Sequence, residues 1–378
     1  MIATLGWKNL VHDRVRAATA VAGVVVAVML LTLQIGLLDG SSRNASGPID
    51  HSPADLWVVA PNTGTFDFGE SILERRLYQV LRTPGVARAE RMVLAFGKWR
   101  SGDGRQQNVL AIGLEPDARL SGPWGMAAGD ARPYRRDDAV VIDEQEKVRF
   151  GSAGRPLALG ERIEINAVMA EVVGFSRGVG TFTTIPFVFT GLRTAWRISE
   201  FGPNYVNYVL VRAAVGVAPE ELAEQLRRIP DVQVLTRAEF SASTRRYWIF
   251  GTGLGLGIVV TAVLALVVGI VIVGQTIYTM TEEKRREYGT LRALGYGTRD
   301  LVQAVLVQAG ALGASGYAIG LAISVLLVRS VTLRGVAIHL SVELALAVLG
   351  LTALLASAAS LSAIARLARM EPAEVFRT

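Results

Sequence analysis

MTEEKRREYGTLRALGYGTRD, residues 280–300, is a short charged stretch between two long apolar runs, 247–281 and 301–328, neither of which contains a charged residue. A polar segment this short between two membrane-length runs must lie at one membrane face. Its basic residues predict the cytoplasmic face, because short cytoplasmic loops are enriched in Lys and Arg. These basic residues are Lys284, Arg285, Arg286, Arg292 and Arg299.

The charged stretch carries its own helix signals. Residues 282–288 are predicted to extend the preceding helix, and Gly289 is a predicted break. A second short helix over 290–294 follows, with Gly295 at the C′ position, where glycine tolerates the left-handed backbone. Thr298 is the predicted N-cap of the next span.

One face of this stretch holds the predicted contact residues. Tyr288, Leu291 and Leu294 recur at spacings of three, which favours a common helix face. A short helix that presents apolar residues to the cytosol is a docking element, although its charges also fit an ordinary solvated helix face. The residues predicted to contact a docking partner are Glu287, Tyr288, Leu291, Arg292 and Leu294. Gly289 and Gly295 are predicted to set the backbone shape.

Composition indicates an integral membrane protein. Hydrophobic residues make up 51% of the 378 residues, and the mean hydropathy is +0.37. Four stretches reach the roughly 20 residues needed to cross a bilayer core. These four stretches are 17–38, 250–280, 301–328 and 344–365. The second stretch lies within the longer segment 247–280. The predicted fold class is an integral membrane α-helical protein, with four spans in a one-plus-three arrangement around a large outer α/β domain.

The distribution of basic residues predicts the orientation. Eleven Lys and Arg residues lie in the segments 1–16, 281–300 and 366–378, against two in the loop 329–343. The net charge of +6 is therefore a topology signal rather than a sign of nucleic-acid binding. Both termini are predicted to be cytoplasmic, with an amphipathic interfacial helix over 1–16. The apolar run 17–38 exceeds a signal-peptide core and is predicted to be a retained anchor.

The segment 39–246 is predicted to form the outer domain. Its parts 50–100 and 204–235 each read as strand, helix, strand, which together suggest a ferredoxin-like subdomain. The segment 105–200 between them is predicted to form a second, strand-rich lobe.

A long helix is predicted to connect the outer domain to the second span. Thr236 and Glu239 match a capping box, and no proline follows before Thr281. An unbroken helix over this length would measure roughly 66 Å, about twice the hydrocarbon thickness. Its excess is expected to project outward as a stalk, with Arg245, Arg246, Tyr247 and Trp248 at the outer membrane interface.

Several kinds of chemistry are not expected. The chain has no cysteine, and its three histidines are far apart, so neither a disulfide nor a local metal site is predicted. The spans contain no ionisable residue, which argues against proton- or ion-driven transport. The glycines at 251–257 do not match a nucleotide-binding motif. Gly316 and Gly320 form a G-x-x-x-G pattern, typical of close helix packing within or between chains. No residue is a catalytic candidate.

The sequence resembles the FtsX/MacB class of ABC transporter permeases. Residues 283–295, EKRREYGTLRALG, are similar to the cytoplasmic coupling segment of that class, with Tyr288 and Tyr296 replacing the commoner Ile and Ala. The ending RMEPAEVFR (369–377) and the start around WKNL (7–10) also resemble the family. The regions 54–59 and 96–100 look most like the DevC-type exporters.

The resemblance implies a partnership. A permease of this class binds a separate ATPase dimer through the coupling helix and works as a pair, so ATP and Mg²⁺ belong to the partner and this chain binds no cofactor. It also implies a bacterial inner-membrane location, with a periplasmic adaptor and an outer-membrane channel as further partners. The alternatives are an FtsX-like signal transmitter that controls a cell-wall hydrolase, a lipoprotein-release permease or a haem-export permease. The sequence does not identify the substrate.

Overall fold

The computed structural model describes residues 14–101, 103–152, 154–181, 185–199, 202–332 and 338–368. The predicted interfacial helix over 1–16 and the tail 366–378 therefore lie mostly outside the described residues. The chain divides into two compact units, Met1–Asp39 with Leu256–Thr378, and Gly40–Gly255. We call them the membrane unit and the outer unit.

The helices are α1 (Arg14–Asp50), α2 (Arg75–Leu81), α3 (Lys147–Phe150), α4 (Leu192–Ile198), α5 (Pro219–Leu226), α6 (Arg237–Arg246), α7 (Leu254–Glu283), α8 (Arg285–Ala293), α9 (Thr298–Thr332) and α10 (Val342–Ala368). The strands are β1 (Leu56–Val59), β2 (Ile72–Leu73), β3 (Val86–Arg100), β4 (Gln106–Leu114), β5 (Met126–Gly129), β6 (Ala139–Asp143), β7 (Arg162–Ile165), β8 (Val168–Ser176), β9 (Phe187–Gly191), β10 (Tyr205–Val206), β11 (Tyr208–Ala213) and β12 (Gln233–Thr236).

Four helices, α1, α7, α9 and α10, are long and apolar enough to cross a membrane. One apolar cluster contains buried residues from all four of them, among them Val24, Ile277, Leu312 and Val348. This cluster is the core of the membrane unit.

Gly316 and Gly320 allow close packing inside this core. A Cβ atom at Gly316 would lie 2.4 Å from the Cβ of Val24, and one at Gly320 would lie 2.9 Å from that of Val28. The sequence left open whether the G-x-x-x-G face packs within or between chains. These two glycines pack against α1 of the same chain.

Helix α1 continues past the predicted end of the first span. It runs 37 residues to Asp50, rather than ending near Leu38. Gly40 and the following serines do not stop it, because an isolated glycine costs a helix only about 1 kcal/mol. Its last turn is also tied down within the outer unit, since Arg245 donates to the Asp50 carboxylate at 2.6 Å and to Ser46 Oγ at 2.8 Å.

The outer unit is built on a ten-stranded sheet with the order β12-β1-β11-β3-β4-β9-β6-β8-β5, in which β7 pairs with β3 and β8. The strands of the two strand–helix–strand halves lie together at one end, as β12-β1-β11-β3. Hairpin partner β4 pairs with β3 from Met92 to Arg100 and continues the same sheet. The inserted segment therefore continues this sheet, and its Phe150 belongs to an apolar cluster that also includes Trp99 of β3.

The predicted unbroken helix into the second span is wrong. The capping box at Thr236 and Glu239 is present, but α6 ends at Arg246 and passes into a π-helical turn, Tyr247–Gly251. The backbone then breaks at Thr252 and Gly253, where Gly253 has φ +74°. Glycine takes this left-handed conformation without a steric penalty, and it also weakens a helix. The absence of proline was therefore not enough to predict continuity.

Candidate functional site

The charged stretch forms a distinct short helix, α8, next to the end of the second span. The break lies at Lys284 (φ −92°, ψ 15°), one residue after α7 ends, and α8 passes straight through Gly289. The predicted break at Gly289 is wrong because packing of the neighbouring side chains offsets the small intrinsic penalty of glycine in a helix. Ion pairs bracket the real break, with Arg285 3.6 Å from Glu282 and Lys284 3.5 Å from Glu287.

The end of α8 confirms the predicted role of Gly295. This residue has φ +95°, its N–H donates to the carbonyl of Arg292, and the N–H of Tyr296 donates to the carbonyl of Leu291, both at 3.1 Å. This pair of hydrogen bonds is the Schellman motif that closes many helices.

The start of the next helix differs from the prediction. Thr298 is the first residue of α9 rather than its cap. Asp300 supplies the cap instead, because its carboxylate accepts a 2.9 Å hydrogen bond from the N–H of Gly297. An acidic residue in the first helical turn also suits the positive end of the helix dipole.

The inner face of α8 is buried in the membrane unit. Tyr288 is 1% exposed and belongs to the apolar cluster that joins the four spans, and the half-buried Leu291 packs against the same cluster. Gly289 is also buried. The prediction that Tyr288 and Leu291 face the cytosol is therefore wrong. These residues fix α8 to the spans.

The outer face of α8 is a continuous exposed stripe. At 100° per residue, its members fall within an arc of about 100°. They are Arg286, Glu287, Thr290 and Leu294. Leu294 is 72% exposed, whereas Tyr288 lies 120° away from it around the helix axis. We call these four residues the outer stripe.

Two residues of the outer stripe, Glu287 and Leu294, belong to the contact set predicted from the sequence. Arg286 and Thr290 do not belong to that set, because the helix break was predicted at the wrong residue. Once the helix starts at Arg285, the helical period alone identifies all four. Of the other predicted contact residues, Arg292 is half-buried and donates to Thr298 Oγ1 at 3.4 Å, and Gly295 is exposed beside Leu294.

The base of this site is also held by an ion pair between helices. Arg16 near the start of α1 pairs with Glu283, the last residue of α7. Within the described part of the chain, no group of His, Cys, Asp or Glu side chains could hold a metal ion. A short helix with an anchored inner face and a mixed polar and apolar outer face is suited to docking in a complementary cleft.

A hydrogen-bonded segment of the outer unit, Phe66–Gly69, joins the sheet to the helical connection. On the sheet side, Tyr208 donates to the Phe66 carbonyl at 2.6 Å, and Asn207 Nδ2 donates to the Gly69 carbonyl at 2.7 Å. On the helical side, the Phe66 N–H donates to Thr244 Oγ1 at 3.2 Å. We call this segment the bridge.

Asp67 completes the bridge at the π-helical turn. Its carboxylate accepts a 2.8 Å hydrogen bond from Trp248 Nε1. Trp248 is 4% exposed, so its ring is buried within the outer unit. Burial raises the pKa of Asp67 to about 6, although the hydrogen bond from Trp248 acts in the opposite direction. The bridge therefore contains a buried carboxyl group that is protonated more readily than an exposed one.

Comparison with known proteins gives two family matches. A family model described as the MacB-like periplasmic core domain matches residues 17–229, and one described as the FtsX-like permease C-terminal region matches residues 247–372. The first match alone covers more than half of the chain.

Individual relatives agree with these matches. An uncharacterized ABC transporter permease of Mycobacterium tuberculosis H37Rv is 26% identical over 366 residues, which cover 96% of this chain and 95% of that protein. A macrolide export ATP-binding/permease protein, MacB of Burkholderia thailandensis, is 24% identical over 85% of this chain but only 51% of its own length. Among solved structures, the periplasmic region of MacB from Actinobacillus actinomycetemcomitans covers 50% of this chain at 12% identity, with a TM-score of 0.37.

Proposed function

This chain belongs to the ABC transporter permeases of the MacB/FtsX type, and we propose that it is the membrane subunit of an export system driven by a partner ATPase. The proposal places ATP and Mg²⁺ on that ATPase. Permease relatives matched over 95% of their length support a separate ATPase. The relative named as a joint ATP-binding/permease protein is matched over only 51% of its length.

The observation that carries this proposal is the two-faced helix α8. Its inner residue Tyr288 is fixed among the four spans, while the outer stripe is exposed. A force applied by a docked protein to the outer stripe would therefore move the spans rather than bend a loose loop. This is the property that a coupling helix requires.

The basic residues near α8 support the orientation. We propose that α8 and both termini face the cytoplasm of a bacterium, with the chain in the inner membrane and the outer unit in the periplasm. We further propose a homodimer of permeases, matched to an ATPase dimer, and a periplasmic adaptor that links the outer unit to an outer-membrane channel.

The break before α7 changes the mechanism that a rigid stalk would imply. The helix is interrupted at the turn Tyr247–Gly251 and at Gly253, and we propose that this interruption acts as a hinge. In the proposed cycle, ATP-driven closure moves α8 and the spans, and α7 pulls on this hinge. The bridge then carries the displacement to β11 through Asp67 and Trp248.

Leu294→Asp tests the docking role of the outer stripe. Leu294 is 72% exposed, so a carboxylate there leaves the folded chain intact but introduces a charge into the docked surface. We expect the variant to lose co-purification with its ATPase and to lose permease-dependent stimulation of ATP hydrolysis. Both can be measured in detergent or nanodiscs.

The matched control is Leu81→Asp, which changes another exposed leucine, 48% exposed, in α2 of the outer unit. It is expected to keep the ATPase. Normal ATPase binding and stimulation by Leu294→Asp would remove α8 as the docking element.

A further inference from the structure

The outer unit carries a surface cluster of aromatic rings contributed by three separate parts of the chain. Phe68 of the bridge stacks on Phe96 of β3 with ring centroids 5.9 Å apart and lies 6.5 Å from Tyr247 of the π-helical turn. Phe250 lies on the same turn. Phe68, Phe96 and Phe250 are 50%, 48% and 76% exposed, and Tyr247 is 36% exposed. We call these four residues the aromatic patch.

The aromatic patch differs from the scattered apolar residues found on any protein surface. Single exposed apolar residues need no explanation, but contiguous ones mark a surface that is covered in the working molecule. The buried Trp248 lies under the patch, 6.0 Å from Phe68 and 5.6 Å from Tyr247. Its hydrogen bond to Asp67 holds the base of the patch in place.

The chain itself indicates what covers the patch. The apolar helix of the second span begins at Gly255, five residues after Phe250. Even a fully extended chain covers at most about 18 Å in five residues. Phe250 therefore lies close to the start of the second span.

Basic residues accompany the rings. Lys98 and Arg100 share the exposed face of β3 with Phe96, since residues two apart on a strand point the same way. Arg100 also lies 3.6 Å from the Glu164 carboxylate, so Lys98 is the basic residue of this strand that we assign to the patch. Arg246, also exposed, precedes Tyr247. Aromatic rings at the headgroup level with Lys and Arg close to them are the pattern by which proteins anchor at a membrane interface.

We propose that Phe68, Phe96, Tyr247 and Phe250 form a membrane-contact surface, by which the outer unit contacts the lipid headgroup layer. The rings enter the boundary between headgroups and acyl chains, and Lys98 and Arg246 contact lipid phosphates. The bridge would then be held between the sheet, the hinge and the bilayer. This contact requires no ATPase, so it can fail while the proposed export function stands.

Spin labelling tests the contact directly, because the native chain contains no cysteine. Phe68→Cys and Phe96→Cys would be labelled separately in the full-length protein, reconstituted in liposomes of phosphatidylethanolamine and phosphatidylglycerol. The measured quantity is the accessibility of each label to oxygen, which enters the bilayer, relative to a water-soluble nickel chelate. Val263→Cys in the second span and Val215→Cys in the loop before α5 are references for lipid and water, at 53% and 106% exposure.

We expect both patch labels to have an oxygen-to-nickel ratio severalfold above that at Val215 and below that at Val263. Ratios equal to that at Val215 would overturn the proposal. Low accessibility of the patch labels to both oxygen and the nickel chelate, together with dipolar broadening of their spectra, would also overturn the proposal. Such broadening requires a second label nearby, so a second copy of the chain would then cover the patch.

A charge reversal tests the basic residues around the patch. Lys98→Glu with Arg246→Glu should lower the oxygen-to-nickel ratio of the Phe96→Cys label, because the headgroup phosphates would repel the surface. Arg82→Glu with Arg228→Glu, at the ends of α2 and α5, makes the same charge change away from the patch and should leave the ratio unchanged. An equal effect of both pairs would refute the lipid-phosphate contacts.

Discussion

Replacing Asp67 with Asn should make the outer unit more stable at neutral pH. The pKa of Asp67 is raised from its ordinary value of 3.8 to about 6 because the carboxyl is buried. The folded state therefore holds a proton on this group more tightly than the unfolded state does. The contribution of Asp67 to the free energy of unfolding falls as the pH rises from about 4 to about 6, and it stays low above that range.

The size of the effect follows from the shift. About two pKa units at 1.36 kcal/mol each give about 3 kcal/mol. Asn carries no charge at any pH, and its amide oxygen can still accept the hydrogen bond from Trp248. Asp67→Asn should therefore match the wild type near pH 4 and exceed its stability by up to about 3 kcal/mol at pH 7.5.

Tryptophan fluorescence during thermal unfolding is a suitable assay for the full-length protein in detergent. Five of the six tryptophans, Trp57, Trp99, Trp124, Trp196 and Trp248, lie in the outer unit. Glu70→Gln removes the same charge from an exposed position three residues away and is the control for the charge change alone. A stability difference between Asp67→Asn and wild type that stays constant between pH 4 and 7.5 would contradict the raised pKa of Asp67.

Three further substitutions test the packing and the bridge, each by thermal unfolding in detergent. Tyr288→Ala should lower the free energy of unfolding by about 3–5 kcal/mol, as for other buried aromatic residues. Tyr288→Phe keeps the ring and should lower it less. Equal losses in the two variants would show that the ring does not anchor α8. Gly316→Leu should destabilise the spans because its Cβ would lie 2.4 Å from Val24. Gly310→Leu should be tolerated because nothing lies within 4 Å of its Cβ. Similar unfolding temperatures for the two variants would contradict the contact between α1 and α9. Asn207→Ala leaves the buried N–H of Leu94 and the Gly69 carbonyl without their partner. The substitution should lower the free energy of unfolding by about 2–4 kcal/mol. Wild-type stability would show that Asn207 does not hold the bridge.

The spans and the end of α8 were predictable because their signals are local. Long uncharged runs must be helices in a bilayer, where every backbone group needs an internal partner. Gly295 was predictable for a similar reason, since a glycine after a short amphipathic helix favours the Schellman ending.

The positions of the two helix breaks, at Lys284 and at Thr252–Gly253, were not predictable from the sequence. Gly289 and Gly253 are both glycines in helical sequence, yet α8 continues through Gly289 whereas the chain breaks at Gly253. The difference is tertiary, because Tyr288 and Leu291 pack on the spans and hold α8 together. The bridge was hidden for another reason. Asp67 and Trp248 are 181 residues apart, and a single sequence carries no signal that brings them together.

The coupling role of α8 is tested most directly by affinity purification of the tagged full-length chain from its own membranes in mild detergent, followed by mass spectrometry of the bound proteins. The Leu294→Asp variant is purified in parallel. We expect an ATPase subunit with the wild type, together with a periplasmic adaptor, and no ATPase with the variant. An ATPase accompanied by a cell-wall hydrolase would support the signalling function instead of export. Absence of any ATPase from the wild-type complex would contradict the central claim that α8 couples this permease to ATP hydrolysis.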